Sequence, residues 1–273
     1  MRIINRHPGR LGVLIAGMVP FLLLVFFYFS ASEARLALNP NDPVLPSLEK
    51  MITAMNKLMF EPNVRTGELL FWADTIASLT RLGIAMALTT LLGLLFGLLM
   101  GLVPWVRVSL APVLAMVSMI PPLAVLPILF IMLGLGEISK ITLITLGTTP
   151  MLIRGMAMRV SELPDEQLIK AQTLGASSWQ LTLRVVLPQM MPRLLDSVRL
   201  TMGAAWLFLI AAEAVASTEG LGFRIFLVRR YLAMDTILPY VAWITILAVV
   251  SDLGLAKLAR VCFPWYGQAQ KAN

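Results

Sequence analysis

Side chains able to make or break bonds are scarce in this sequence. His7 is the single histidine and Cys262 the single cysteine, so no histidine metal site, His-based catalytic set or internal disulfide can be assembled within the chain. A GxxxxGK loop followed by Ser or Thr is missing from the sequence, which excludes nucleotide hydrolysis by that route. Catalytic and metal-ligating residues are therefore expected to be none. Two features remain with chemical content. Glu213 lies inside an apolar run, where an ionisable group is by default a functional candidate, here for an outer gate. Counting about 1.5 Å per residue from Met190 puts it near the far boundary of a spanning helix, where pairing with Arg224 or wetting by water is the alternative. The second feature is the segment from Pro164 to Trp179, whose charged and apolar residues surround Gly175 and suit recognition of another protein.

The elements that must carry these residues follow from composition. Hydrophobic residues make up 58% of the chain and charged residues 14%, and the mean hydropathy of +0.83 lies far from the soluble norm of about a quarter charged. Bilayer is the expected solvent, and separate apolar blocks near 20 residues predict a helix bundle rather than a barrel. The formal charge of +7 is spread between those blocks, which fits positive-inside orientation with membrane lipid as a partner, and no nucleic acid.

The blocks are Leu11 to Phe29, Leu82 to Val103, Val108 to Leu133, Ile138 to Met158, Met190 to Ala216 and Asp235 to Leu258. They predict an all-α membrane protein with about six transmembrane helices. The expected organisation is residues 1–31 as tail and first span, 32–81 as an outer loop with an interfacial stretch from Leu69 to Arg81, 82–263 as a five-helix core, and 264–273 as a tail. A short amphipathic helix is expected from Ser47 to Phe60. Six crossings put both termini in the cytoplasm, with Arg2, Arg6, Arg10, Arg107, Arg159 and Lys271 among the inside charges, and the cluster from Gly220 to Arg230 is the dissent from that rule. Gly93, Gly97 and Gly101 form a tandem GxxxG for close helix packing, at a subunit interface, along a pathway or within the chain. Pro121, Pro122 and Pro127 interrupt the third block and predict one kinked helix that lines a cavity or serves packing. Asp196 with Arg199, and Asp252 with Lys257, are expected as ordinary pairs.

The polar excursion 159–188 reads as helix, turn, helix. Pro164 suits the first helical position, and Asp165 and Glu166 follow where negative charge complements the dipole. Gly175 can turn left-handed after a helix ending near Leu174, Ser177 or Ser178 can cap a second helix carrying Trp179, and Pro188 is expected to stop it. Leu168, Leu174 and Trp179 would be apolar without a bilayer to bury them, as in a docking surface or a helix on lipid headgroups.

At these residues the sequence resembles the permeases of bacterial binding-protein-dependent ABC importers. Their cytoplasmic signature runs Glu-Ala-Ala, three residues, Gly, nine residues, then Ile-x-Leu-Pro; the matching positions here are Ile169, Lys170, Ala171, Gly175, Val185, Leu187 and Pro188. The family's glutamate and first alanine are replaced. SMIPPLAVLPILFIMLGLGEISKI and AAEAVASTEGLGFRI are similar to later spans of the nitrate, sulfonate and taurine branch, so the resemblance covers Ser78 to Phe263. It implies a cytoplasmic coupling helix between the fourth and fifth spans. Pro164, Asp165, Glu166, Leu168, Ile169, Lys170, Ala171, Leu174, Gly175, Ala176 and Trp179 would dock on separate ATP-binding cassette subunits that hold ATP and Mg. It also implies an extracytoplasmic solute-binding protein, a second permease copy, inner-membrane residence and a small nitrogen- or sulfur-containing solute. An ATP-independent secondary transporter is the rival, opposed by the prolines gathered in one block and by the lack of repeated halves.

Overall fold

The computed structural model of the chain describes residues 9–40, 42–64 and 67–269; Arg2, Arg6, His7 and Lys271 lie outside these. The described residues form helices and no strand. α1 (Arg10–Leu38) is apolar on all sides from Leu11 to Phe29 and largely exposed there, as lipid-facing helices are, and carries Ser32, Glu33 and Arg35 in its last turns. It continues past the expected end at Phe29, and Tyr28 and Ser32 near its second half donate to the carbonyls of Pro46 (2.7 Å) and Leu45 (3.0 Å). α2 (Leu48–Phe60) starts on Ser47, whose hydroxyl accepts from the Lys50 amide.

α3 (Leu70–Leu102) is a single helix of 33 residues, about 50 Å long against a hydrocarbon core of about 30 Å. The expected boundary between an interfacial stretch ending at Arg81 and a span starting at Leu82 therefore does not exist. The helix needs no break there because its first turns find polar partners inside the protein, described below.

The third apolar block is not one kinked helix. α4 (Pro104–Met119) and α5 (Pro122–Leu133) meet at 93°. Ile120 and Pro121 each precede a proline, and proline pushes the residue before it out of the helical region; their ψ angles are 121° and 117°. Two such residues in a row end one helix and begin another, whereas Pro127 is carried inside α5. α6 (Glu137–Ser161) follows a left-handed Gly134 (φ 78°).

Next come α7 (Asp165–Thr173), α8 (Ser178–Gln180), a π-helical stretch (Leu181–Val186) and α9 (Leu187–Val215). The last three are one continuous crossing, so Pro188 does not stop a helix as expected. The Leu187 amide bonds five residues back, to the Thr182 carbonyl. That wider turn accommodates a proline that has no N–H to contribute and whose ring would collide with the carbonyl four residues back. α10 (Leu221–Arg229), α11 (Met234–Cys262) and α12 (Pro264–Ala269) complete the chain. Prolines are not gathered in one block: Pro20, Pro150, Pro192 and Pro239 also sit inside helices.

Among the described residues five helices are long and apolar enough to span a bilayer, and the bent α4–α5 pair qualifies jointly as a sixth. Topology makes that pair a crossing. α3 carries the chain from one end of the bundle to the other, and Glu137 at the start of α6 is bonded to Arg81 near the start of α3, so α4 and α5 must return the chain across.

The core lies where α3, α6 and α9 meet, with Ala85, Leu143, Ile144, Met156, Met190 and Leu209 buried. Gly93, Gly97 and Gly101 face α6: a methyl group on them would strike Leu152, Met156 and Val160 in turn. The tandem glycines thus pack two helices of one chain. A buried Thr89–Thr148 hydroxyl pair at 2.8 Å bridges the same seam. Gly147, which sequence reading passed over, makes room on α6 for the Phe208 ring of α9.

Gly93→Val should overpack this seam and cost about 1–3 kcal/mol, read as a loss of monodisperse, heat-stable protein in detergent. Gly155→Ala, where a methyl group meets open space, is expected to leave both measures unchanged.

Candidate functional site

Asp74, Ser78 and Arg81 fall on one face of α3, and each is buried. The Asp74 carboxylate accepts from Arg224 (2.7 and 3.2 Å), from the Gly220 amide (2.9 Å) and from the Tyr240 hydroxyl (3.2 Å). Glu213, fully buried on α9, accepts from Ser78 (2.7 Å), Arg81 (2.8 Å) and the Gly222 amide (2.8 Å). Ser78 in turn accepts from the Leu221 amide at 2.9 Å. Arg81 also reaches Glu137 through Nε and through Nη2 (2.9 Å), and donates to the Glu219 carbonyl at 3.0 Å. Lys140 closes on Glu137 at 2.8 Å.

The amide of Gly220, the N-cap of α10, and the first two amides of the helix thus point at two carboxylates and a serine hydroxyl, so the orphan donors and positive end of that helix meet negative charge. Gly220 is required: its φ is 125°, and a methyl group there would lie 2.5 Å from the Glu213 carboxyl carbon. At Gly222 a methyl group would come within 2.5 Å of the Ile210 carbonyl oxygen. Two glycines therefore let the loop lie directly on the acids.

Glu213 is brought into this network, but with Arg81 as its partner and not Arg224, which belongs to Asp74. Water is not its counter-group either, because the carboxylate has no exposure. Pro121 and Pro122 form the α4–α5 break, and Pro127 lies within α5. That unit packs against the bundle through Leu126 and Leu129, which meet Leu143 and Ala212. Sequence reading missed Asp74, Ser78, Arg81, Glu137 and Tyr240. The spacing of 74, 78 and 81 along one helix face was the available signal.

At the opposite end Arg199 pairs bidentately with Asp252 (both 2.8 Å), joining α9 to α11, and reaches Asp196 at 3.8 Å. Asp252 therefore bonds Arg199 rather than the expected Lys257. Asp196 accepts from Tyr266 of α12 at 3.0 Å; burial, then that bond, pushes the tyrosine hydroxyl pKa up.

The elbow between α6 and α9 is at this same end. Gly175 is left-handed at φ 82°, and Ala176 N–H to Ala171 O (3.0 Å) with Gly175 N–H to Gln172 O (2.9 Å) closes α7 as a Schellman turn. Ser177 and Gln180 then form a reciprocal capping box, of 3.3 and 2.9 Å. Leu174, Trp179 and Ile169 are 88%, 71% and 56% exposed. Leu168 departs from expectation: it turns inward and packs against the core. Pro164 caps α7, Asp165 and Glu166 occupy its first turn, and Lys170 its last.

Residues 90–260 match the profile of the family described as binding-protein-dependent transport system inner membrane component. The chain belongs to that family. This permease is 35% identical to the taurine transport system permease protein TauC of Escherichia coli, over 96% of this chain and 93% of that one. It is 29% identical to the bicarbonate transport system permease protein CmpB of Synechococcus elongatus, over 90% and 87% of the two chains. The putative aliphatic sulfonates transport permease protein SsuC of Bacillus subtilis is 29% identical over 76% and 75%. Among solved structures, an inward-facing form of the MetNI methionine ABC transporter shares the fold, with TM-score 0.63 and 18% identity over 73% of this chain and 99% of that one. The chain is thus an ABC-importer permease of the branch that includes these relatives.

Arg81→Ala would leave Glu213 charged and buried without its cation, a loss of about 3–5 kcal/mol. The expected result is a large fall in Tm in detergent and in membrane yield. Arg199→Ala, at a half-exposed pair, should lower Tm far less.

Proposed function

We propose that the elbow from Pro164 to Trp179 is the seat of a separate ATP-binding cassette subunit, which holds ATP and Mg and whose closure drives this permease. The observation that carries the reading is the exposure of Ile169, Leu174 and Trp179 on a turn whose backbone is fixed by a Schellman motif and a capping box. Apolar side chains on a rigid protrusion suit a protein cleft better than water. Asp165, Glu166 and Lys170 supply a charged rim, and Pro164, Ala171, Gly175 and Ala176 set the shape. The elbow end faces the cytoplasm with both termini, and the ion-network end faces outward, where an extracytoplasmic binding protein delivers solute.

A second copy completes the path. α4 has no buried residue in the single chain and exposes Val108, Val113, Met116 and Met119, a bare apolar arm that a partner copy would cover. Pro121, Pro122 and Pro127 then shape that interface and the wall of the path, while Glu213 acts as a strut that holds the outer end together. The solute class is small and anionic or zwitterionic, in keeping with relatives named for taurine, sulfonates and bicarbonate.

Gly175→Asp is the test of docking, because position 175 meets open space but its left-handed backbone disfavours a side chain. In a reconstituted complex with its ATPase, uptake should fall at least tenfold while ATP hydrolysis continues and membrane insertion is unchanged. Unaltered uptake would overturn the docking assignment.

A further inference from the structure

The cluster from Gly220 to Arg230 breaks the positive-inside pattern, and only Arg224 is absorbed by the ion network. Arg229 and Arg230 remain at the end of α10, and neither pairs with a carboxylate among the described residues. Both line a pocket of about 200 Å³ between α10 and the end of α9, with Ala214, Val215, Ser217 and Phe226 among its walls. The Arg229 guanidinium lies over the Phe226 ring, 4.9 Å from its centre, a cation–π contact. The Ser217 hydroxyl oxygen is buried with no hydrogen-bond partner among the described residues.

Resting on the importer reading for its orientation, we infer that this pocket is an outer-face binding site for the oxoanion group of a small solute, such as a sulfonate or carboxylate. Two guanidinium groups present planar donor forks that match an oxoanion; the Ser217 hydroxyl, shut off from the pocket space, is not part of that donor set. Volume limits the occupant to a head group, since drug-sized ligands fill at least about 300 Å³. Snorkelling to lipid explains two arginines on a helix end; it does not explain why both line one concave pocket with the Arg229 guanidinium beside the Phe226 ring. A phospholipid phosphate has the same chemistry, and the experiment separates it from solute.

With Cys262 changed to Ser, single cysteines are placed by Ser217→Cys and, separately, Ala214→Cys in the full-length permease in phosphatidylcholine nanodiscs. Labelling rates are compared for anionic sulfonatoethyl and cationic trimethylammonioethyl methanethiosulfonate, each corrected for its rate with free thiol. A basic pocket raises local anion concentration tenfold or more by general electrostatic focusing, on the order of 10–1,000-fold, so the anionic reagent should react about ten times faster at either position. Arg229→Gln with Arg230→Gln should bring the ratio near one, and methanesulfonate should slow labelling of the arginine-bearing protein. Equal rates with both arginines present, or no reaction at either cysteine, would overturn the site. Protection by phosphatidylglycerol nanodiscs but not by methanesulfonate would overturn the solute assignment in favour of lipid phosphate. Labelling requires neither ATP nor an ATPase, so its outcome is independent of the Gly175→Asp result.

Discussion

Two carboxylates with no access to water decide how one end of this protein is built. Asp74 and Glu213 come from helices far apart in sequence, and each takes a guanidinium plus an amide from the start of α10. In a low-dielectric interior such charges are tolerable only when every lone pair is answered. Answering them requires α3, α6, α9, α10 and α11 to arrive together, since Arg81 also holds Glu137 and Asp74 also holds Tyr240. The close approach of the loop at Gly220 and Gly222 follows from the same requirement. Movement of one helix within this end would strand a buried charge, so the five helices are tied to one another there.

Other parts of the chain are held by different means. The α3–α6 seam relies on shape, with glycines on one helix receiving Leu152, Met156 and Val160 from the next. Bilayer offers no hydrophobic gain for helix association, so close backbone approach and the Thr89–Thr148 bond carry that contact. The elbow is fixed largely by backbone hydrogen bonds and caps, with Leu168 packed on the core, which leaves Ile169, Leu174 and Trp179 exposed.

What could be read from residues alone tracks how local the physics is. Apolar runs, the left-handed Gly175, the cap at Ser177 and the start of α2 at Ser47 were legible because each depends on neighbours within a turn or two. The extent of α3 was not, since Asp74 and Arg81 looked like the polar edge of a membrane until partners from positions 213–240 satisfied them. Pairing of Arg224 with Glu213 was one alternative open to the sequence, while the real pairing, Arg81 with Glu213 and Arg224 with Asp74, is fixed by where α3 runs. Pro121–Pro122 was legible as a disruption, but a 93° corner reflects two successive pre-proline residues acting in one direction. Pro188 failed as a stop signal because a π turn, set by no obvious residue pattern, takes up its ring.

That π turn between Leu181 and Val186 has a geometric effect at a distance. Each residue added to a helix rotates everything beyond it by about 100° around the axis, and a π turn in effect accommodates one extra residue. The stretch therefore sets the compass bearing of Trp179 and Leu174 relative to the bundle. With an ordinary α-helical register at that place, the same elbow, with every cap intact, would point toward a different flank of the protein.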